Sequence, residues 1–306
     1  MKILISGGTG LVGRRLCRAL AQSGHQLAVL SRDPERARCQ LTVPADYFSW
    51  QPSVTAPPER ALEGLNAIIH LAGEPVADRR WTTQQKSRIH ESRVVATRNL
   101  VQSLLCRSNP QPLTLISASA IGYYGETHDQ LVTETTPAGC DFLAKVCRDW
   151  ETEAWALQAN ETASRVVQLR LGLVLSSEGG LLGRVGKLFR WGLGGRLGNG
   201  LQWLSWIHID DLIAMIKFIL HRSGLSGPIN ATAPDPVTNR AFTEALANAV
   251  GRPALFSVPE FAIRFAVGER ANLFLGGTRA IPERIQNEGF NFEYGSISQA
   301  LENLMR

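Results

Sequence analysis

The sequence predicts an α/β fold, a doubly wound parallel sheet with a smaller, mostly helical C-terminal substrate region. Three features predict it. The first two-thirds of the chain alternate short β-branched runs with helical periods, as βα repeats do. Each of those runs is almost continuously apolar, which is what a strand buried on both faces requires. A glycine turn stands between the first strand and the first helix.

In chain order, Lys2 to Ser6 reads as a strand, Leu11 to Ser23 as a helix and Gln26 to Leu30 as a second strand. Further strands are expected at Ala67 to Leu71, Leu113 to Ser117, "RVVQLRLGLVL" at 165–175 and "GPINAT" at 227–232. Between the last two lies a tract rich in glycine and tryptophan, 189–211, which carries Trp191, Trp203 and Trp206. It reads as a loop that folds over something. From about Asn239 onward the pattern is mostly helical, punctuated by Pro253, Pro259 and Pro282. The expected division is a nucleotide-binding domain over 1–175, with segments near 206–235 returning to it, and a substrate-binding and helical region over 176–306.

Composition narrows the function classes. With 306 residues and 44% hydrophobic content the chain can bury a sizeable core. Its longest apolar runs, "AIIHLAG" at 67–73 and "LIAMIKFIL" at 212–220, fall well short of the roughly 20 residues a membrane helix needs, so no membrane span is expected. The opening "MKILISGG" is a strand and turn, not a secretory leader, and a cytoplasmic location is expected. Five cysteines, Cys17, Cys39, Cys106, Cys140 and Cys147, show no C-x-x-C spacing and signal neither a disulfide framework nor a metal site. The net charge of +5 is scattered among acids, so no nucleic-acid partner is expected. One cluster stands out, "DRRWTTQQKSRIHESR" at 78–93, with Arg79, Arg80, Lys86, Arg88 and Arg93. It is either a solvated helix face or a magnet for a phosphate-bearing ligand, and its place in the fold decides which.

"ILISGGTGLVGRRL" sets Gly7, Gly10 and Gly13 at the junction of the first strand and first helix. Glycines there allow a tight turn, close approach of the backbone to a pyrophosphate, and helix-on-strand packing, while the helix N-terminus offers free N–H groups to phosphate. This is a Rossmann-type dinucleotide loop. The second strand ends in "AVLSRDPER", with Ser31 and Arg32 where a carboxylate would hold the ribose 2′-hydroxyl of NAD. A guanidinium suits a 2′-phosphate, so NADP(H) is the expected cofactor. Asp33, followed by Pro34, reads as the start of the next turn, with a ribose contact as the alternative.

With these motifs in place, the chain resembles an extended short-chain dehydrogenase/reductase. "GGTGLVG" at 7–13, "IIHLAGEP" at 68–75, "ISASAIGYYG" at 116–125, "LRLGLVL" at 169–175 and "WIHIDDL" at 206–212 follow that superfamily's order over nearly the whole chain. More narrowly it is similar to the atypical epimerase family of YfcH-type proteins, through "GEPVADRRWT", "SASAIGYYG" and "AIPERIQNEGFNFEY". The resemblance implies cofactor contacts from Gly7, Thr9, Gly10, Leu11, Val12 and Gly13, from Ser31 and Arg32, from Leu71, Ala72 and Gly73, and from Cys147. It also implies that the fourth and fifth helices could pair in a homodimer.

In that superfamily Asn, Ser, Tyr and Lys carry catalysis. The Asn position falls on Arg93 and the Ser position on Ser119. The Tyr-x-x-x-Lys pair falls on Leu143 and Cys147, or, in a second register, on Asp141 and Lys145. Helix geometry bears on the register: Phe142, Val146, Trp150, Ala154 and Leu157 form an inward stripe flanked by Leu143, Cys147 and Glu151, and Lys145 lies roughly 200° around the helix from Cys147. The candidate catalytic residues are therefore Ser119, Tyr123, Tyr124 and Arg93, with Arg93 also able to hold an anion. His208 resembles a position near the substrate entrance, with Asp210 and Asp211 expected to cap the helix that follows, and His70 reads as structural. Two functions are expected from these readings: an NADP(H)-dependent oxidoreductase or epimerase acting on a small polar or anionic molecule of nucleotide-sugar-like chemistry, or a catalytically silent NADP(H)-binding redox sensor or interaction protein.

Overall fold

In the computed structural model, which describes residues 1–107, 110–160 and 163–306, the first half of the chain winds strand by strand through a parallel sheet. Strand β1 (Lys2–Ser6) leads into helix α1 (Leu11–Gln22), then β2 (Gln26–Ser31), α2 (Pro34–Leu41), β3 (Asp46–Ser49), the short α3 (Glu59–Leu62) and β4 (Ala67–His70). Helices α4 (Thr83–Glu91) and α5 (Val94–Leu105) precede β5 (Thr114–Ala120). A short strand β6 (Leu131–Val132) and the long helix α6 (Phe142–Asn160) precede β7 (Arg165–Leu171) and β8 (Leu173–Ser176). Helix α7 (Gly180–Arg190), three short strands, β9 (Gly195–Leu197), β10 (Trp203–Leu204) and β11 (Trp206–His208), and helix α8 (Ile209–His221) lead to β12 (Gly227–Ala231).

Seven strands form the central sheet in the order β12-β7-β5-β4-β1-β2-β3, all pairs parallel. Alternation along β1 explains the two covered faces. Ile3 and Ile5 pack with Leu16 and Leu20 of α1 and Leu212 and Ile216 of α8. Leu4 points the other way, with Leu100 and Leu104 of α5 and Leu157 of α6. A third cluster, including Leu182, Phe189, Trp206, Phe242 and Leu301, holds the C-terminal region together. The chain runs outward in opposite directions from the β1–β4 pair, so the crevice at the C-terminal ends of those two strands is the topological switch point, where open α/β sheets take their ligands.

Several sequence expectations shift. The apolar run 165–175 is two strands, because Gly172 breaks it: a Cβ there would sit 2.6 Å from the Ser205 carbonyl oxygen. The 189–211 tract is not wholly loop but contains β9, β10 and β11, with β11 paired to β8. β3 was not expected, since "DYFS" is short and half exposed. The cap of α8 is His208, whose Nδ1 accepts from the Asp210 N–H at 3.1 Å. Asp211 instead accepts from the backbone N–H groups of Glu293 and Tyr294. His70 is sealed in the sheet between Ser6 and Thr97, at 2.5 and 3.1 Å, and burial pushes its pKa down to about 4. No helix among the described residues is long and apolar enough to cross a membrane.

Candidate functional site

A cleft of about 830 Å³ opens at the switch point, lined by the glycine loop, the end of β2, the segment after β3 and the segment after β4. Gly7 has φ +73°, and a Cβ on it would meet the Leu71 carbonyl carbon at 2.7 Å, so only glycine lets the two loops close to this distance. Gly13 packs its α-carbon directly on the backbone of Gly7 and Gly8, where no side chain fits. Helix α1 has Gly10 as its N-cap, with no side-chain cap and no acid in its first turn. Its leading N–H groups are therefore open to an anion. A loop with room for backbone approach and an uncapped helix end fits the pyrophosphate of a dinucleotide.

At the far end of the cleft, Asp33 accepts from the Arg36 N–H at 3.0 Å and caps α2. Its carboxylate is spent on its own helix. Arg14, Arg32 and Arg36 also line the cleft, and none of the three has a side-chain hydrogen bond or ion pair among the described residues. Trp50, 2% exposed and holding the Thr55 carbonyl through Nε1 at 2.8 Å, walls the same end with Gln51 to Val54.

Of the expected cofactor residues, Gly7, Thr9, Gly10, Ser31, Arg32, Leu71, Ala72 and Gly73 line this cleft. Leu11, Val12, Gly13 and Cys147 do not. Leu11 lies against Gly179 and Gly180, Val12 packs on the apolar core, and Gly13 is the packing contact just described. Cys147 is 4% exposed, and burial pushes its thiol up to about 12, with Glu151 adding to the rise. That thiol is inert at neutral pH. Arg14, Arg36 and Trp50 were not foreseen, since nothing in the local sequence says that they face this cleft.

The nicotinamide end of such a site would lie toward the end of β5, where the candidate catalytic groups gather. Ser119, 2% exposed, donates to Glu151 Oε1 at 2.6 Å. Glu151 in turn takes a two-pronged pair from Arg170, Nε to Oε1 and Nη2 to Oε2, both 2.8 Å. Burial opposes the charge on Arg170, but the paired carboxylate and Tyr124 outweigh it and hold its pKa up. Tyr124 donates to Asn230 at 2.7 Å and accepts from Arg170 at 2.9 Å, and burial pushes its phenol up to about 12. Asn230 closes the lattice by donating its backbone N–H to Glu134, whose pKa burial raises. Ser119 and Tyr124 thus serve a buried polar lattice. Tyr123 is different: half-buried, it stacks under the Arg170 guanidinium at 3.5 Å, and its hydroxyl has no partner among the described residues.

Helix α6 takes the first of the two registers. Asp141 caps it by accepting from the Ala144 N–H at 2.8 Å, and Lys145 is exposed. Leu143 lies against Gly122, and Cys147 lies beside Ser119 and Arg93. Arg93 lies half-buried beneath Gly73: a Cβ on that glycine would be 3.2 Å from its Cζ. The guanidinium sits 5.3 Å above the Trp150 ring, donates to the Ile89 carbonyl, and has no carboxylate within ion-pair distance among the described residues. Burial lowers its pKa.

A family model described as the NAD dependent epimerase/dehydratase family matches residues 3–231, and a domain of unknown function, DUF1731, matches 258–304. The chain belongs to the NAD dependent epimerase/dehydratase family. It is 39% identical over 301 residues to the epimerase family protein Mb2239 of Mycobacterium bovis, covering 98% of this chain and 96% of that one. It is 36% identical over 313 residues to the chloroplastic epimerase family protein SDR39U1 homolog of Arabidopsis thaliana, covering 100% and 87%. Among solved structures it is similar to the human epimerase family protein SDR39U1 (isoform 2) with NADPH, at TM-score 0.89 and 27% identity over 100% of this chain and 99% of that one.

Proposed function

We propose that this member of the epimerase family is an NADP(H)-dependent oxidoreductase or epimerase acting on a small polar molecule, of nucleotide-sugar-like chemistry. One observation carries the cofactor choice: Asp33 is turned back to cap α2 while Arg32 and Arg36 face the cleft unpaired. The carboxylate at the end of β2 is thus not offered to a ribose 2′-hydroxyl, while a 2′-phosphate would find guanidinium groups that can bind it through charge-assisted bonds. The NADPH in the human relative's structure agrees with this reading. Arg32→Ala is expected to weaken NADPH about 10- to 100-fold while leaving NADH nearly unchanged, from roughly 1.5–3 kcal/mol for a hydrogen-bonded charge. Calorimetric titration with both cofactors checks it, and equal weakening of the two overturns the assignment.

The bound cofactor supplies the hydride. The chain must then supply or remove a proton at the reacting oxygen, and Tyr123 is the candidate whose hydroxyl is uncommitted. Ser119 can offer its oxygen as an acceptor while its own hydroxyl hydrogen is donated to Glu151. Positioned proton transfer is worth roughly 10²–10⁴-fold, so Tyr123→Phe should lower turnover by about that factor. Incubation with deuterium-labelled NADPH and a metabolite extract, read by mass spectrometry, tests it. Label that depends on Tyr123 supports the assignment, and label that persists in Tyr123→Phe removes it.

A second reading has its own observation. Ser119 and Tyr124 are both tied into the Glu151–Arg170 lattice, and Leu143 and Cys147 occupy the positions of the usual pair. That arrangement favours an NADP(H)-binding sensor or interaction protein without turnover. Tight NADPH binding with no label transferred to any metabolite supports it over a reductase, and no metabolite epimerised in the same extract supports it over an epimerase.

A further inference from the structure

The basic cluster at 78–93 is not a solvated helix face alone. A side pocket of about 340 Å³ branches from the main cleft, and its lining is Arg32, Ser53, Glu74, Arg79, Arg88, Glu91 and Ser92. Four of those residues, Arg32, Ser53, Glu74 and Ser92, also line the main cleft, so the two spaces are continuous. Arg32 comes from the end of β2, Arg79 from the loop after β4, and Arg88 from the last turn of α4. Three distant stretches of chain thus bring three guanidinium groups to one opening. None of the three has a hydrogen bond or ion pair from its side chain among the described residues.

The pocket's two carboxylates offset only part of this charge. Glu91 accepts from the Ser87 hydroxyl at 2.6 Å, Glu74 accepts from Gln85 at 3.4 Å, and neither forms an ion pair with the three arginines among the described residues. Three guanidinium groups against two carboxylates leave the opening net positive, and like charges so gathered repel one another. Some surface arginines elsewhere do find a carboxylate, as Arg98 finds Glu153 and Arg264 finds Glu260. An anion in the side pocket would convert the repulsion into a set of charge-assisted bonds.

We infer that Arg79 and Arg88 close over the 2′-phosphate of the cofactor from the side opposite β2, completing with Arg32 a three-arginine phosphate site. This rests on the NADP(H) reading above and deepens it. Sequence rules for cofactor choice consult only the end of β2, whereas here two of the determinants come from the segment after β4. That segment is also fastened to the C-terminal region: Arg270 donates to the Ala77 carbonyl at 2.7 Å, Lys86 pairs with Glu269 at 2.7 Å, and Arg184 pairs with Asp78. These contacts hold the loop in place over the cleft, so the phosphate meets arginines already positioned.

The test is a titration of NADPH, NADH and 2′,5′-ADP into wild type, Arg32→Ala, and the double variant Arg79→Ala with Arg88→Ala, at low and high salt. The inference expects the double variant to lose at least 10-fold in affinity for NADPH and 2′,5′-ADP, to keep its NADH affinity, and to show a shallower salt dependence. Arg79 and Arg88 are exposed, so the variant should fold, and an unchanged melting temperature confirms that it has. Loss of NADPH affinity in Arg32→Ala but not in the double variant overturns the three-arginine site and leaves the NADP(H) reading standing. No preference of wild type for NADPH over NADH overturns both. Equal loss of NADPH and NADH in the double variant also overturns the inference, because the two arginines would then serve a part that both cofactors share.

Discussion

Glu151 is where a single substitution reads out the architecture of the site. Its carboxylate is 12% exposed and is the counter-charge for Arg170, whose side chain is 3% exposed. In Glu151→Gln the volume is kept and one acceptor remains for Ser119, but the guanidinium is left buried without an opposite charge. Breaking a buried pair by removing one partner costs roughly 3–5 kcal/mol. Arg170 keeps the Tyr124 hydroxyl, the Glu134 carbonyl and the face of Tyr123, which places the expected cost at the lower end, about 3 kcal/mol. For a chain of 306 residues that corresponds to a fall in melting temperature of roughly 5 °C. Urea denaturation, followed by tryptophan fluorescence and by far-ultraviolet circular dichroism, should show a lower midpoint at unchanged slope. The paired change Glu151→Leu with Arg170→Met, which removes both charges, should cost less than either single change. A Glu151→Gln midpoint equal to wild type would refute the claim that this pair holds the end of β5 together, and with it the argument that Ser119 is committed.

Three further outcomes follow from the same geometry. Acidification should destabilise the fold through His70: burial holds it neutral, with its pKa pushed down from 6.5 to about 4, so its contribution is intact above 6.5. It is lost as pH falls from 6.5 towards 4, amounting to about 3 kcal/mol, and His70→Gln should flatten that part of the stability profile. Gly13→Ala should cost about 3 kcal/mol or more by thermal melting, because the added carbon meets the Gly8 α-carbon at 2.7 Å, backbone that cannot yield cheaply. Gly73→Ala meets only the Arg93 guanidinium, at 3.2 Å, and should cost about 1 kcal/mol while weakening the cofactor several-fold in the same titration.

The sheet was legible because its strands are buried on both faces, and residues such as Ile3, Leu4 and Ile5 leave no other reading. β3 escaped because "DYFS" sits at the sheet's edge, where one side of the strand needs no apolar run. The glycine loop was legible because Gly7, Gly10 and Gly13 answer local demands of turn and packing. Trp50 and Arg36 were not, since nothing local to them says which cleft they face. The polar lattice was least legible of all. Glu134, Glu151, Arg170 and Asn230 come from four separate stretches of chain, and only the fold brings their charges within 3 Å of their partners. Ser119, legible as a strand-end serine, therefore acquired a carboxylate partner that no spacing announced.

The balance of charge shows what the site is built to meet. The chain carries 32 Lys and Arg against 27 Asp and Glu, a modest excess that read in sequence as scattered. In three dimensions it is not evenly spread. Carboxylates near the switch point have partners of their own, Asp33 in the cap of α2, Glu151 in Arg170, and Glu91 in Ser87. Arg14, Arg32, Arg36, Arg79 and Arg88 have no side-chain partner among the described residues and line two connected openings. A nucleic acid would be met by a stripe along an open face, whereas these groups converge on a bounded cleft of about 830 Å³ and its branch. On the proposed NADP(H) reading, the converging guanidinium groups would meet the 2′-phosphate at one end and the uncapped helix N-terminus the pyrophosphate at the other.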